Sequence, residues 1–398
     1  MTKRDRPRLL SFTLDDWPVL GGPVSLTLSD GVAVLVGRNG SGKSAIVEGF
    51  TAIAKIATNR FARIPGENGN LPKTLVIDIL TPQSRRLRYE YHLLTLPTEV
   101  DSLELEDNDE NHGEQFSWND SCQYLDQDKE IVWRTEFGET TLYLHDQPLI
   151  AVLGSFNLLD RILISNKKQQ IEFPAEMEWL YHVLSGCQIL NKQAVRKFSM
   201  RRESLLKKSR PSVIELADMI AHKIIRLDED VFDELTGVCS RIGIADQIVV
   251  KKFVVDMTGA DESREDEQIF EVSLNGTNIG FLSDGTLRVL SILVDIIRSS
   301  SISTLIIEEP EQQIHPGLLS KLLREIQAYT VDENLIISTH SPQVVAEMRP
   351  EQIHLVERVA GRTTVRQLNS SEIDNVHAYL TEEGDLGEWL YSGMLDDE

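Results

Sequence analysis

Cysteine is scarce in this sequence, and its few copies stand apart. Cys122, Cys187 and Cys239 are all there are, with no C-x-x-C pair. That excludes a disulfide scaffold and a cysteine zinc site as organising devices. Long apolar runs are missing too, since no uncharged stretch approaches the roughly 18 residues a membrane span requires. The basic start, Lys3-Arg4-Asp5-Arg6-Pro7-Arg8, is not followed by the apolar core of a secretion signal. There are no internal repeats and no heptads long enough for a coiled-coil arm. Positive charge is in deficit: 40 Lys and Arg face 63 Asp and Glu, a net −23 over 398 residues. Such a balance disfavours a surface that binds nucleic acid everywhere, while leaving room for a local basic face. The expectation is a cytoplasmic, reduced, globular chain of two or three domains that makes no membrane contact.

What is present begins with β-like alternation in Leu9-Leu10-Ser11-Phe12-Thr13-Leu14 and Val24-Ser25-Leu26-Thr27-Leu28, around a turn rich in Pro and Gly. Val32-Ala33-Val34-Leu35-Val36 then runs without a polar residue into a glycine-rich loop, and residues 45–57 carry helical spacing. Residues 74–94 read as a hairpin turning near Pro82, and the acidic stretch 99–130 as a solvated loop. Residues 176–235 read as helical, 248–279 as strands around an acidic insert, and 282–347 as a second α/β block. A hairpin (353–356 with 363–368) and an acidic tail close the chain.

Four segments carry chemistry. Gly37-Arg38-Asn39-Gly40-Ser41-Gly42-Lys43-Ser44 fits G-x-x-x-x-G-K-[ST], with a strand before it and a helix after it. In that pattern backbone N–H groups and the helix N-terminus cradle phosphate oxygens. Lys43 is then placed to bridge β- and γ-phosphates, and Ser44 to ligate Mg²⁺. Leu305-Ile306-Ile307-Glu308-Glu309-Pro310-Glu311 describes a buried strand ending in paired carboxylates. One of the pair suits the Mg²⁺ shell and the other an attacking water. Phe281-Leu282-Ser283-Asp284-Gly285-Thr286 reads as an N-capped helix start that offers N–H groups and a hydroxyl to an anion. Leu335-Ile336-Ile337-Ser338-Thr339-His340 delivers a histidine at a strand end, within reach of a γ-phosphate or of a structural hydrogen bond.

In order and wording these four resemble the Walker A, signature, Walker B and switch-histidine motifs of ABC-type ATPases. More narrowly, they resemble the OLD/RecF/SMC-like branch, which shares the phrases EEPE…HP and STHSP. The resemblance implies an α/β P-loop head, a mixed sheet with flanking helices and an antiparallel β subdomain. Residues 1–175 and 248–398 would form its two halves, and 176–247 an inserted helical lobe. It further implies a head-to-tail homodimer around two ATP molecules, with Ser283 and Gly285 touching the γ-phosphate held by the partner. Glu309 takes the catalytic place, and Glu308 the Mg²⁺ place usually held by Asp, one methylene longer. His340 is the switch histidine, and Gln83 the nearest candidate for the Q-loop glutamine. The signature reads Ser-Asp-Gly-Thr where the family has Ser-Gly-Gly-Gln.

Three absences narrow the reading. No Asn-Lys-x-Asp motif reads guanine, and no long coiled coil makes a true SMC protein. Only about 58 residues follow His340, without an Asp-x-Asp pair, so no TOPRIM nuclease domain is expected here. The role implied by the resemblance is a nucleotide-driven sensor or scaffold in bacterial anti-phage defence. Its effector would be encoded separately, a TOPRIM-type nuclease among the options. A RecF-like DNA repair ATPase and a transporter nucleotide-binding subunit are the alternatives. The basic stretch from Lys192 to Arg210 stands open between a solvated helix face, DNA phosphate contact, an acidic protein partner and the acidic 99–130 segment.

Overall fold

The computed structural model describes residues 6–58, 71–95, 116–126, 130–136, 139–144, 147–153, 174–190, 216–255, 267–298 and 303–382. In chain order, β1 (Arg8–Asp15) and β2 (Val24–Thr27) pair antiparallel, and β3 (Val32–Val36) leads into α1 (Lys43–Thr58). An antiparallel meander comes next: β4 (Thr74–Leu80), β5 (Arg86–Thr95), β6 (Phe116–Tyr124), β7 (Ile131–Glu136), β8 (Glu139–Leu144) and β9 (Gln147–Leu153). After it lie α2 (Ala175–Ser185), β10 (Cys187–Leu190), α3 (Leu216–Ile224), α4 (Glu229–Ile242), β11 (Ile248–Val255), β12 (Glu267–Leu274) and β13 (Thr277–Asn278). The remainder is α5 (Asp284–Arg298), β14 (Thr304–Glu308), α6 (Pro316–Tyr329), β15 (Asn334–Thr339), α7 (Pro342–Ala346), β16 (Ile353–Val359), β17 (Arg362–Gln367) and α8 (Ser370–Glu382).

A six-stranded sheet, ordered β10-β14-β15-β3-β16-β17, is parallel except for its last strand. Strands β14 and β15 are buried along their whole length, which is why they read as continuous apolar runs rather than alternations. Alternate side chains feed two cores. Val34, Leu305, Ile307, Leu335 and Ile337 face α3 to α6, while Ala33, Ile306 and Ile336 face α1, α2 and the antiparallel sheet. That second sheet has eight strands in the order β2-β1-β4-β5-β6-β7-β8-β9, and Phe12 of β1 stacks on Phe50 of α1 at 4.2 Å. A third sheet, β11-β12-β13, completes a mixed α/β architecture with antiparallel parts. The parallel register aligns the carboxyl ends of the central strands. Val36 pairs with Thr339 and Glu308 with Ser338, so β3, β14 and β15 all end at one edge.

Two local expectations are corrected. Residues 116–124, expected within a solvated loop, form β6. Their acidic residue Asp120 is buried and accepts hydrogen bonds from Tyr89 Oη (3.0 Å) and Trp133 Nε1 (3.4 Å). A carboxylate with such donors belongs to a core, not to a solvated tract. The rest of the acidic segment lies outside the described residues, apart from 125–126 and 130. Residues 187–190, expected to be helical, form β10 instead. Four residues carry no readable period, and pairing of Ile189 with Ile306 on β14 decides their conformation. Among the described residues no helix is long and apolar enough to cross a membrane.

Candidate functional site

The loop after β3 turns sharply before α1. Gly42 sits at φ 111°, and a Cβ there would lie 2.6 Å from Thr363 Oγ1, so both conformation and space require glycine. Thr363, fully buried on β17, donates from Oγ1 to the Ser41 carbonyl (3.1 Å), so the β16–β17 hairpin backs the loop. Gly37 leaves the sheet beside the Val356 carbonyl, Arg38, Asn39 and Gly40 are exposed, and Ser41 is buried. Lys43 opens α1 with a buried side chain whose Nζ donates to the carbonyls of Gly37 (2.6 Å) and Arg38 (3.1 Å). Burial lowers its pKa, and the carboxylates of Glu309 and Glu311 oppose that shift. This ammonium is already stripped of most of its water.

Glu308 ends β14 with a buried side chain, near the hydroxyl of Ser44 on the first turn of α1. Burial raises its pKa; the Ser44 hydroxyl counteracts this, while the nearby Glu48 and Glu309 add to it. Glu309 adopts a left-handed backbone at φ 44°. A non-glycine residue there costs about 1–3 kcal/mol unless its surroundings hold it. They do so from two sides. Its N–H donates to the Ser338 carbonyl at 2.8 Å, and Arg288 Nη2 donates to the carbonyls of Glu308 (2.9 Å) and Glu309 (3.0 Å). Burial lowers the pKa of Arg288, opposed by Glu311, Glu309 and Glu308 in that order. His340, exposed just beyond β15, brings Nδ1 to 3.6 Å from Glu309 Oε1 and 3.4 Å from Glu311 Oε1.

Ser283 caps α5. Its Oγ accepts from the Thr286 N–H at 3.2 Å and lies 2.8 Å from Thr286 Oγ1. Gly285 is there for space: a Cβ would stand 2.2 Å from the Gln313 carbonyl. These two residues are therefore tied to α5 and to the turn 309–313, not to the loop 37–44. Lys43, Ser44, Glu308, Glu309 and His340 do converge at the common edge. Gln83 is exposed in the β4–β5 turn. Sequence reasoning passed over Arg288, Glu311 and Thr363. Only the spelling EEPE hinted at Glu311.

Gly285→Ala is expected to cost about 1–3 kcal/mol, the usual penalty of forcing a methyl into a packed position. Urea denaturation measures it. An unchanged midpoint would mean that the turn 309–313 yields freely.

Comparison with known proteins gives a family. Residues 32–346 match the family described as "AAA domain, putative AbiEii toxin, Type IV TA system". Among curated proteins no relative matches the chain. Among solved structures the chain is similar to an SMC head bound to the C-winged helix domain of ScpA. The identity is 13%, the TM-score 0.44, and the coverage 93% of this chain and 100% of that one. The SMC head domain from Thermotoga maritima gives 15% identity and a TM-score of 0.40, covering 91% and 99%. An SMC head with an extended coiled coil, bound to the C-terminal domain of ScpA from Pyrococcus furiosus, gives 13% and 0.43, covering 94% and 100%. The family match runs from β3 through α7 and takes in all four motifs. The chain belongs to this AAA-domain family, an ATPase-type protein whose P-loop lies at the carboxyl edge of a mixed α/β sheet.

Proposed function

We propose that this chain binds ATP with Mg²⁺ on the loop 37–44 and hydrolyses it in a head-to-tail homodimer. The observation that carries the reading is the convergence of Lys43 and Ser44, at the start of α1, with Glu308 and Glu309, at the end of β14, on one edge of the parallel sheet. A hydroxyl beside a buried carboxylate is a donor set that fits a hard divalent cation. Mg²⁺ held by Ser44 and Glu308 would neutralise charge on the phosphates.

The remaining work falls to the chain itself. Lys43 exchanges the carbonyls of Gly37 and Arg38 for β- and γ-phosphate oxygens, a transfer eased because burial has already cost it much of its hydration. Glu309 orients the attacking water and takes its proton. Its two-sided backbone support keeps the carboxylate where that water must lie. His340 meets the terminal phosphate, and Ser283 and Gly285 act on the ATP of the second subunit. The cycle of closure and opening would drive a sensor or scaffold in bacterial anti-phage defence with a separately encoded effector. The toxin named in the family's description supports a role of that kind. The basic stretch 192–210, the candidate DNA contact, lies outside the described residues.

Phosphate release from ATP is expected to stop when EDTA removes Mg²⁺. Its specific activity should rise with protein concentration, because a composite site needs two subunits. Absence of release overturns the hydrolytic reading; specific activity independent of dilution overturns the dimeric one.

A further inference from the structure

Glu311 is the third carboxylate of Glu308-Glu309-Pro310-Glu311, and it is set deeper than Glu309. Its side chain is 10% exposed, against 27% for Glu309 and 43% for His340. One of its oxygens accepts two hydrogen bonds and faces a ring nitrogen. Oε1 accepts from Thr339 Oγ1 at 2.8 Å and from the His340 N–H at 3.1 Å, and His340 Nδ1 lies 3.4 Å away. The other oxygen, Oε2, is buried without a hydrogen bond.

A plain tie between the turn 309–313 and the end of β15 does not need a charge. A neutral acceptor would satisfy Thr339 and the backbone N–H, and would leave no buried carboxylate oxygen unpaired. What the carboxylate adds is an anion 3.4 Å from the Nδ1 of His340, whose backbone N–H it already binds. One oxygen thus binds the backbone of that residue and stands beside its ring. The ring nitrogens of a histidine are distinct, and the partner of one decides what the other offers. Nδ1 faces Glu311 and Glu309, so Nε2 is the ring nitrogen left for a ligand.

We propose that Glu311 is a positioning residue for His340. It holds the ring with Nδ1–H inward, so that Nε2 is presented to the terminal phosphate. The proposal rests on the hydrolytic reading for its consequence, though the ring orientation stands apart from it. Glu309 is the water-activating group, and Glu311 acts only through the histidine.

Two measurements test this. In steady-state kinetics Glu311→Ala should lower kcat roughly ten- to a hundred-fold, the range seen when a group that orients a metal-binding histidine is removed. KM should change little. His340→Ala should lower kcat to the same extent, and the double variant should fall no further than His340→Ala alone. Glu311→Gln keeps an acceptor for Thr339 and for the backbone N–H, so it should fold as the wild type does and restore part of kcat. Penalties that multiply in the double variant, or a wild-type kcat in Glu311→Ala, overturn the positioning role. The second measurement is ¹⁵N NMR of the histidine rings, with the His340 signals identified by their loss in His340→Ala. Wild-type protein should show a protonated Nδ1, reduced in Glu311→Gln and lost in Glu311→Ala. The same ring state in wild type and Glu311→Ala overturns the proposal. A protonated Nδ1 that depends on Glu311, in a protein that releases no phosphate, overturns the hydrolytic reading and leaves the positioning of the ring established.

Discussion

Glu309→Gln is expected to bind ATP and leave it uncleaved. The amide keeps the shape of the carboxylate and loses its basicity, and loss of a positioned general base costs typically 10²–10⁴-fold in rate. The fold around it should not move. The left-handed residue is held through its main chain, by the Ser338 carbonyl on one side and Arg288 on the other, and neither contact uses the carboxylate. Uncleaved ATP should then hold two heads together, so the variant should accumulate as a dimer only when nucleotide is added. Phosphate release and light scattering read the two effects separately. Glu308 is the rival within the pair, but its environment argues against it. It is buried, carries a raised pKa and lies near the Ser44 hydroxyl, the position of a metal-shell group and not of one facing free water. Glu308→Gln should therefore weaken the Mg²⁺ dependence of binding. If Glu308→Gln alone stops hydrolysis, the two roles are exchanged. If neither change slows turnover, the carboxylate pair at the end of β14 is not the hydrolytic centre.

How much of the fold and the site was legible in the residues alone depends on the range of the interactions. Strands β3, β14 and β15 announce themselves because a strand buried on both faces needs apolar residues throughout. The hairpins β4–β5 and β16–β17 are equally local, each turn lying within a few residues of the strands it joins. The loop 37–44 is legible for a related reason: the constraint on Gly42 is written at Gly42. Strand β6 is not, because Asp120 reads as one more acid in an acidic tract until Tyr89 and Trp133 are brought beside it. Arg288, Glu311 and Thr363 fail in the same way. Each acts on a partner in another element, and a single polar residue in a helix, turn or strand carries no period to mark it. Gly285 is an intermediate case. The helix start was readable, whereas the carbonyl of Gln313 that forbids a larger residue was not.

Lys43→Ala is expected to lose nucleotide affinity by about a hundred-fold or more, since two charge-assisted hydrogen bonds at roughly 1.5–3 kcal/mol each disappear together. The same change removes the bonds from Nζ to Gly37 and Arg38, so the loop itself must be shown to survive. Thr363 and the left-handed Gly42 hold it from behind, and the thermal midpoint should stay close to wild type. Titration with labelled ATP decides the matter, and equal affinity in both proteins would remove the loop from the site. The variant also permits a test across subunits. Ser283→Arg places a long cation on the exposed start of α5, where it should prevent closure while each subunit still binds ATP. Neither variant alone should hydrolyse. In a mixed head-to-tail dimer one site carries both lesions and the other carries none, so hydrolysis should return when the two proteins are combined. Ser283→Arg turning over ATP at the wild-type rate by itself would mean that Ser283 does no more than cap its own helix, as its bond to Thr286 already shows it does. The glycine beside it would then be explained by Gln313 alone.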